Sequence, residues 1–254
     1  MKICTLFITL TLLLSSAAQA SSNYYPKDAQ NVFEQENIGD EELKVLLFNV
    51  LSQTHQRSKN GPDTLGCSAA SGSCYQQRSL GYKGARKVLF GKLHLEEDSR
   101  GYLLKDVYCD KEYRKSNTKI GPNTIPNNNI VNCEHTWPQS RFSRKFSKGL
   151  QKSDLHHLFP TDNRANSQRG NVEFGNASSG KPVKGCGASK FDRRTNTYEP
   201  PTFHKGNVTR ALFYFSIRYQ IKISAKEERV LREWHILDPI DAEEMDRNDG
   251  IYKV

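Results

Sequence analysis

The sequence predicts an α+β fold, a single mixed domain in which several helices surround a small antiparallel sheet. Three observations carry this. Apolar residues recur at helical spacing in four separated stretches, short β-branched or aromatic runs fall between them, and neither an internal repeat nor a linker-like break divides the 254 residues. The 12 Phe, 11 Tyr and 2 Trp supply large core side chains and argue against wholesale disorder. Outside the extreme N-terminus no apolar run approaches the ~20 residues of a membrane span, which excludes an integral membrane protein.

In chain order, Lys2, the apolar run Ile3 to Leu14 and the small-residue ending Ala18-Gln19-Ala20 read as a secretory signal peptide over residues 1–20, leaving 21–254 as the domain. Residues 21–38 are polar and read as irregular. From Asp40, taken as an N-cap, Leu43, Leu46, Leu47, Val50 and Leu51 trace one helix face. The Gly-, Ser- and Asn-rich stretch 58–75 reads as a long loop. A second helix is expected from about Ser79 to Lys92. The run Tyr102–Tyr108 suits a strand, 115–129 a loop, and Ile130-Val131 the start of a short strand leading into NCEHTWPQSRF. An irregular segment ends at Pro200-Pro201. Beyond it Val208, Ala211, Leu212, Phe215 and Tyr219 mark a third helix, and Ala225 to Ile236 a fourth anchored by Val230, Leu231 and Trp234.

Charge and cysteines narrow the setting. The chain carries 37 Lys+Arg against 28 Asp+Glu, a net +9, which suits a polyanionic partner. Removal of the leader would take away Lys2 and Cys4, leaving Cys67, Cys74, Cys109, Cys133 and Cys186. In an oxidising compartment this odd number leaves one thiol over, and Cys67–Cys74 around SAASGS is the easiest pair. No C-x-x-C is present, so cysteine ligation of a metal is not indicated.

Reactive residue types concentrate in two segments, Asn132-Cys133-Glu134-His135-Thr136-Trp137-Pro138 and Asp154-Leu155-His156-His157-Leu158-Phe159-Pro160, the latter continuing to Asn171. Together they hold imidazoles, carboxylates, amides and arginines, the groups that phosphodiester hydrolysis uses. A neutral imidazole can activate water near pH 7, and oxygen donors such as Glu134 and Asn166 suit a hard cation that keeps several of its waters. Adjacent residues on a regular strand face opposite ways, so Glu134 and His135 share a site only where the strand is ending, which Pro138 favours.

These residues resemble the endonuclease I family of bacterial periplasmic and secreted nucleases. The resemblance rests on E-H-x-x-P at 134–138, on D-L-H-H-L-F-P at 154–160 with N-x-x-R-G-N from Asn166 to Asn171, and on P-P followed by K-G-N-V-T-R-A from Lys205 to Ala211. It is clearest over 128–220, with a weaker echo at Trp234 and at Arg247–Val254. It implies a ββα-metal (His-Me finger) core and Mg²⁺-dependent hydrolysis of DNA and/or RNA with little sequence preference, with Mn²⁺ or Ca²⁺ as substitutes. On this resemblance His135 is the general base, Glu134 and Asn166 hold the metal, and Asn166 is preferred to Asn163 by its distance from D-L-H-H. Arg210 matches a family arginine near the site, with a helix-packing ion pair as the other reading. His156 is expected to orient the site or its backbone, and Asp154 to belong to its surroundings or to cap a turn. The family's phosphate-binding arginine has no counterpart in the short connection after His135, so Arg141 and Arg144 are read as a solvated basic face. A secreted or periplasmic monomer follows, with nucleic acid as its partner and no membrane contact. Two other readings stand beside it: a non-catalytic secreted protein that binds nucleic acid or acidic polysaccharide, and a zinc hydrolase using His135, His156 and His157.

Overall fold

The computed structural model describes residues 23–34, 38–68 and 72–254; the signal-peptide reading lies outside them. Two residue blocks, one on either side of a short two-stranded ribbon, set the layout. The first is N-terminal. Helices α1 (Lys27–Phe33) and α2 (Asp40–Ser52) lead to a sheet of three two-residue strands, β1 (His55–Gln56), β2 (Thr64–Leu65) and β3 (Cys74–Tyr75), in the order β2-β1-β3. So the described part of 21–38 is not wholly irregular. The seven-residue α1 is too short to show a periodic face, and only Ala29 of it is buried. Asp40 is the first helical residue and Gly39 the cap; with Glu41 and Glu42 it places three carboxylates in the positive first turn of α2. Strands of two residues carry no alternation, which is why 58–75 read as loop.

Helix α3 (Gly81–Val88) continues as one π-helical turn, Leu89–Leu93. An antiparallel meander follows: β4 (Glu96–Asp98), β5 (Gly101–Lys105) and β6 (Glu112–Arg114). The strand expected to reach Tyr108 stops at Lys105. There the buried Asp106 carboxylate takes over the backbone, accepting from the N–H groups of Tyr108, Cys109 and Asp162.

The ribbon is β7 (Val131–His135) paired antiparallel with β8 (Leu158–Asp162), His135 opposite Leu158 and Val131 opposite Asp162. Helix α4 (Lys148–Lys152) lies in the connection. Helix α5 (Asn163–Arg169) follows β8 without an intervening residue, because Asp162 ends the strand and caps the helix, its Oδ1 accepting from Arg164 and Ala165 N–H. α5 packs against both strands. Gly170, at φ +56°, closes it in the left-handed conformation that glycine adopts without strain.

Residues 173–199 form a further sheet, β10 (Lys181–Val183), β11 (Cys186–Asp192), β12 (Thr197–Glu199) and the parallel β9 (Glu173–Phe174), in that order. Sequence reading found no strand there: KPV and CGASKFD are too poor in β-branched residues to signal one. What holds the segment is the Cys109–Cys186 disulfide and the Ser189 hydroxyl, which donates to Tyr108 O at 2.7 Å. Helices α6 (Lys205–Arg218) and α7 (Ala225–Leu237) stand where their apolar spacing put them, and α8 (Ala242–Tyr252) adds an element that the sequence did not signal.

The result is a mixed α+β domain with small, mainly antiparallel sheets rather than one. No helix among the described residues is long and apolar enough to cross a membrane. The ribbon lies between two apolar clusters. Val131, Cys133 and Leu158 join Ala85, Leu89 and Leu104 in one; Trp137, just past β7, joins Phe215, Tyr219 and Trp234 in the other. α8 clamps the ribbon from outside. Arg247 donates to the carbonyls of Leu155 and Leu158 and lays its guanidinium 4.2 Å over the Phe159 ring.

Both the expected Cys67–Cys74 pair and Cys109–Cys186 are bonded, and Cys133 is left as a buried thiol. Cys109–Cys186 closes a separation of 77 residues. Replacing both with alanine is expected to lower stability by about 4 kcal/mol in urea titration, against about half that for Cys67–Cys74. Equal losses for the two pairs would contradict the loop-length argument.

Candidate active site

The unpaired edge of β7 borders an open cleft of about 250 Å³. Glu134 and His135 both line it, with Asn132, Asn166, Gln139, Asn171 and Tyr82. A cleft along a strand edge meets side chains from both faces of the strand, so two consecutive residues reach it from different sides. Their partners bear this out. Glu134 contacts Tyr108 and Arg169; His135 contacts Tyr82, His157, Phe142 and the Lys152 carbonyl.

Glu134 is 1% exposed. Burial pushes its carboxyl up from the ordinary range, while Arg169 and the Tyr108 hydroxyl pull the other way. Tyr108 donates to Oε1 at 2.9 Å, and Arg169 Nε lies 3.4 Å from the same atom. Oε2 is in neither contact. Arg169, also 1% exposed, is held by the carbonyls of Thr136 and Gly170, so the charge balancing Glu134 is fixed by backbone on both sides of the cleft.

His135 is held by α4. The last carbonyls of a helix lack intrahelical partners, and this helix offers two of them to histidines: Lys152 O to His135 Nε2 at 3.2 Å, Gln151 O to His157 Nε2 at 2.8 Å. A carbonyl only accepts, so Nε2 of His135 carries the hydrogen and Nδ1 keeps its lone pair. Gln139 Nε2 stands 3.5 Å from Nδ1. Burial, with His157 acting in the same direction, pushes the imidazole down to about 3, so it is neutral near pH 7. Chemically the cleft offers a buried carboxylate, an amide on α5 and a neutral imidazole with one fixed tautomer.

Of the sequence-predicted residues, Glu134, His135 and Asn166 are brought together here. Asn163 is not in this cleft; its Oδ1 accepts from Asn132 Nδ2 at 3.1 Å. Arg210 stands apart, its Nε donating to Glu244 Oε1 at 2.6 Å and its Nη1 to Asp238 O at 2.9 Å, which ties α6 to α8 and the end of α7. Asp154 caps the 3₁₀ turn Leu155–His157 by accepting from His156 N–H, and also takes the hydroxyls of Tyr214 and Tyr219. The His156 ring packs on Tyr214, 4.4 Å between centroids. His157 packs its ring 5.4 Å from that of His135 but turns Nε2 to the Gln151 carbonyl, and among the described residues no group of three His, Cys, Asp or Glu side chains forms a metal cluster. Arg141 is not simply solvated: it pairs with Glu227 at 3.2 Å and lies over Trp137, whereas Arg144 is exposed. Burial pushes the Cys133 thiol up to about 12, so it carries no reactive thiolate.

Sequence reasoning missed Tyr108, Tyr82 and Gln139 as site neighbours. Arg169 was signalled only as part of N-x-x-R-G-N, and nothing in its spacing told of an ion pair with Glu134.

A model of the endonuclease I family matches residues 39–254. Among individual proteins, the chain is 34% identical over 139 residues to an extracellular ribonuclease of Bacillus subtilis, covering 48% of this chain and 46% of that one. It is 29% identical to an endonuclease-1 of Buchnera aphidicola over 49% of this chain and 56% of that one. Against an extracellular deoxyribonuclease of Aeromonas hydrophila it is 30% identical, over 41% and 45%. The chain thus spans about half the length of the curated relatives it matches.

Proposed function

Because the chain belongs to the endonuclease I family, we propose that it is a metal-dependent endonuclease hydrolysing phosphodiester bonds of DNA and/or RNA with little sequence preference. One observation carries the reading: the Glu134 carboxylate, the Asn166 amide and the His135 lone pair converge on one cleft beside the β7–β8–α5 unit. We read that unit as the ββα-metal core. The residues fit a hard cation. Glu134 Oε2 is clear of the Tyr108 and Arg169 contacts, Asn166 adds a carbonyl oxygen, and a site with so few protein oxygens suits Mg²⁺, which retains waters. When bound, Mg²⁺ would act as a Lewis acid on the scissile phosphate and the departing O3′.

His135 Nδ1 takes the proton of the attacking water, and the Lys152 carbonyl keeps that nitrogen unprotonated and aimed at the cleft. Arg169 opposes the burial that disfavours the charged form of Glu134 and fixes the carboxylate in place. Arg210, engaged by Glu244, is read as a packing residue. Secretion to the periplasm or beyond belongs to the same proposal. It is supported by two disulfides and by relatives named extracellular or periplasmic, and the basic charge supports nucleic acid as the partner.

The test is a gel assay of the mature protein on plasmid DNA and structured RNA with Mg²⁺ or EDTA. Cleavage in Mg²⁺ and none in EDTA is expected. Intact but retarded substrate in Mg²⁺ would overturn the reading in favour of a polyanion-binding protein.

A further inference from the structure

A second cavity of about 310 Å³ opens on the other side of the Asn132–Asn163 pair. Lys111, Tyr113, Asp162, Asn163, Arg164 and Lys184 line it. Asn132 lines the first cleft and Asn163 the second, so one hydrogen-bonded pair of amides forms the sill between them.

The two cavities are aligned by the ββα unit itself. β7 and α5 run side by side in the same sense. Asn163 N–H donates to Ile130 O near the start of β7, and Arg169 reaches Glu134 and Thr136 at its end. On α5, Asn163 and Asn166 fall at i and i+3 on one helical face, with Asn163 in the second cavity and Asn166, followed by the closing Gly170, in the first. On β7, Asn132 and Glu134 share a face at i and i+2. The two cavities therefore follow one another along β7 and α5, with the amide pair between them.

Its charge suits a polyanion. Asp162, the one acid lining the second cavity among the described residues, is matched by Lys111 at 2.7 Å and takes the Tyr113 hydroxyl at the same distance. Arg164 and Lys184 are exposed, and neither has a carboxylate partner among the described residues. The second cavity so presents two uncompensated cations beside polar hydrogen-bonding groups.

We propose that this second cavity is a backbone-binding subsite for the polynucleotide strand that enters the cleft, with Arg164 and Lys184 contacting phosphates beyond the scissile one. The inference rests on the reading of the cleft as a nuclease site. Neither cation touches the reacting atoms; both hold the strand in line with them.

The test measures fluorescence anisotropy of labelled single-stranded DNA of about 20 nucleotides against salt, in EDTA so that cleavage does not intervene. An Arg164→Ala/Lys184→Ala variant is compared with the wild type and with Lys226→Ala/Arg229→Ala on α7. Loss of two phosphate contacts is expected to flatten the slope of log K against log salt by about 1.4 for the first variant and to leave the second unchanged. On a labelled trinucleotide, too short to fill both cavities, the difference should vanish. Equal slopes for the two variants, or a difference that persists on the trinucleotide, would overturn the subsite. Absent cleavage in the gel assay would sink the nuclease reading alone, since the binding slopes are read without turnover.

Discussion

Replacing His135 with alanine is expected to lower kcat by about a thousandfold, with nucleic-acid affinity unchanged within a few-fold. The asymmetry follows from what the imidazole touches. Its Nε2 is bonded to the Lys152 carbonyl and its Nδ1 faces an open cleft, so the ring contributes a lone pair at the reacting centre and no charge for the substrate to bind. Removing the ring leaves the Lys152 carbonyl facing the space that the ring filled, which joins the cleft His135 lines and lets water replace the donor. Single-turnover cleavage read beside anisotropy separates the two quantities. A variant that loses affinity and keeps its turnover would show His135 to be a binding group and remove it from the chemistry.

Arg169→Met is expected to cost about 3–5 kcal/mol of stability, because it leaves the Glu134 carboxylate buried beside the Tyr108 hydroxyl with its charge unmatched. The guanidinium also donates to the Thr136 and Gly170 carbonyls, so part of that loss belongs to backbone left without a donor. A double-mutant cycle with Glu134→Gln divides the two. If the ion pair dominates, the neutral amide restores much of the stability in the Arg169→Met background, and urea titration of the four proteins gives a coupling of more than about 1 kcal/mol. Additive losses would mean that Arg169 supports the ribbon through its carbonyl contacts alone.

The helices α2, α6 and α7 were legible because their apolar residues repeat over several turns. That Glu134, His135 and Asn166 would come together in one cleft was legible for a different reason, their membership of short boxes that the family resemblance links. What escaped was long-range. Tyr108 comes from the turn between β5 and β6, 26 residues before Glu134, and no local pattern links a buried tyrosine to a distant carboxylate. The sheet over 173–199 is tied through Cys186 and Ser189 to Cys109 and the Tyr108 carbonyl outside it rather than by strand propensity, so no local pattern announced it. Arg210 shows the reverse case. It matched a motif by position, and its carboxylate partner, Glu244, lies on a helix that sequence periodicity did not reveal.

The clamp made by Arg247 separates two meanings of the word domain. Every box by which this family is noticed lies within 128–220, a stretch that looks transferable. Yet the turn and strand that carry its second box have their carbonyls held by a side chain 92 and 89 residues downstream. A fragment cut to the boxes would keep the chemistry and lose the brace. The stretch that holds the boxes is therefore smaller than what the chain must assemble as one piece, in keeping with a family match that runs on through α8, and grafting this centre into another scaffold means carrying α8 along or rebuilding the contact that it supplies.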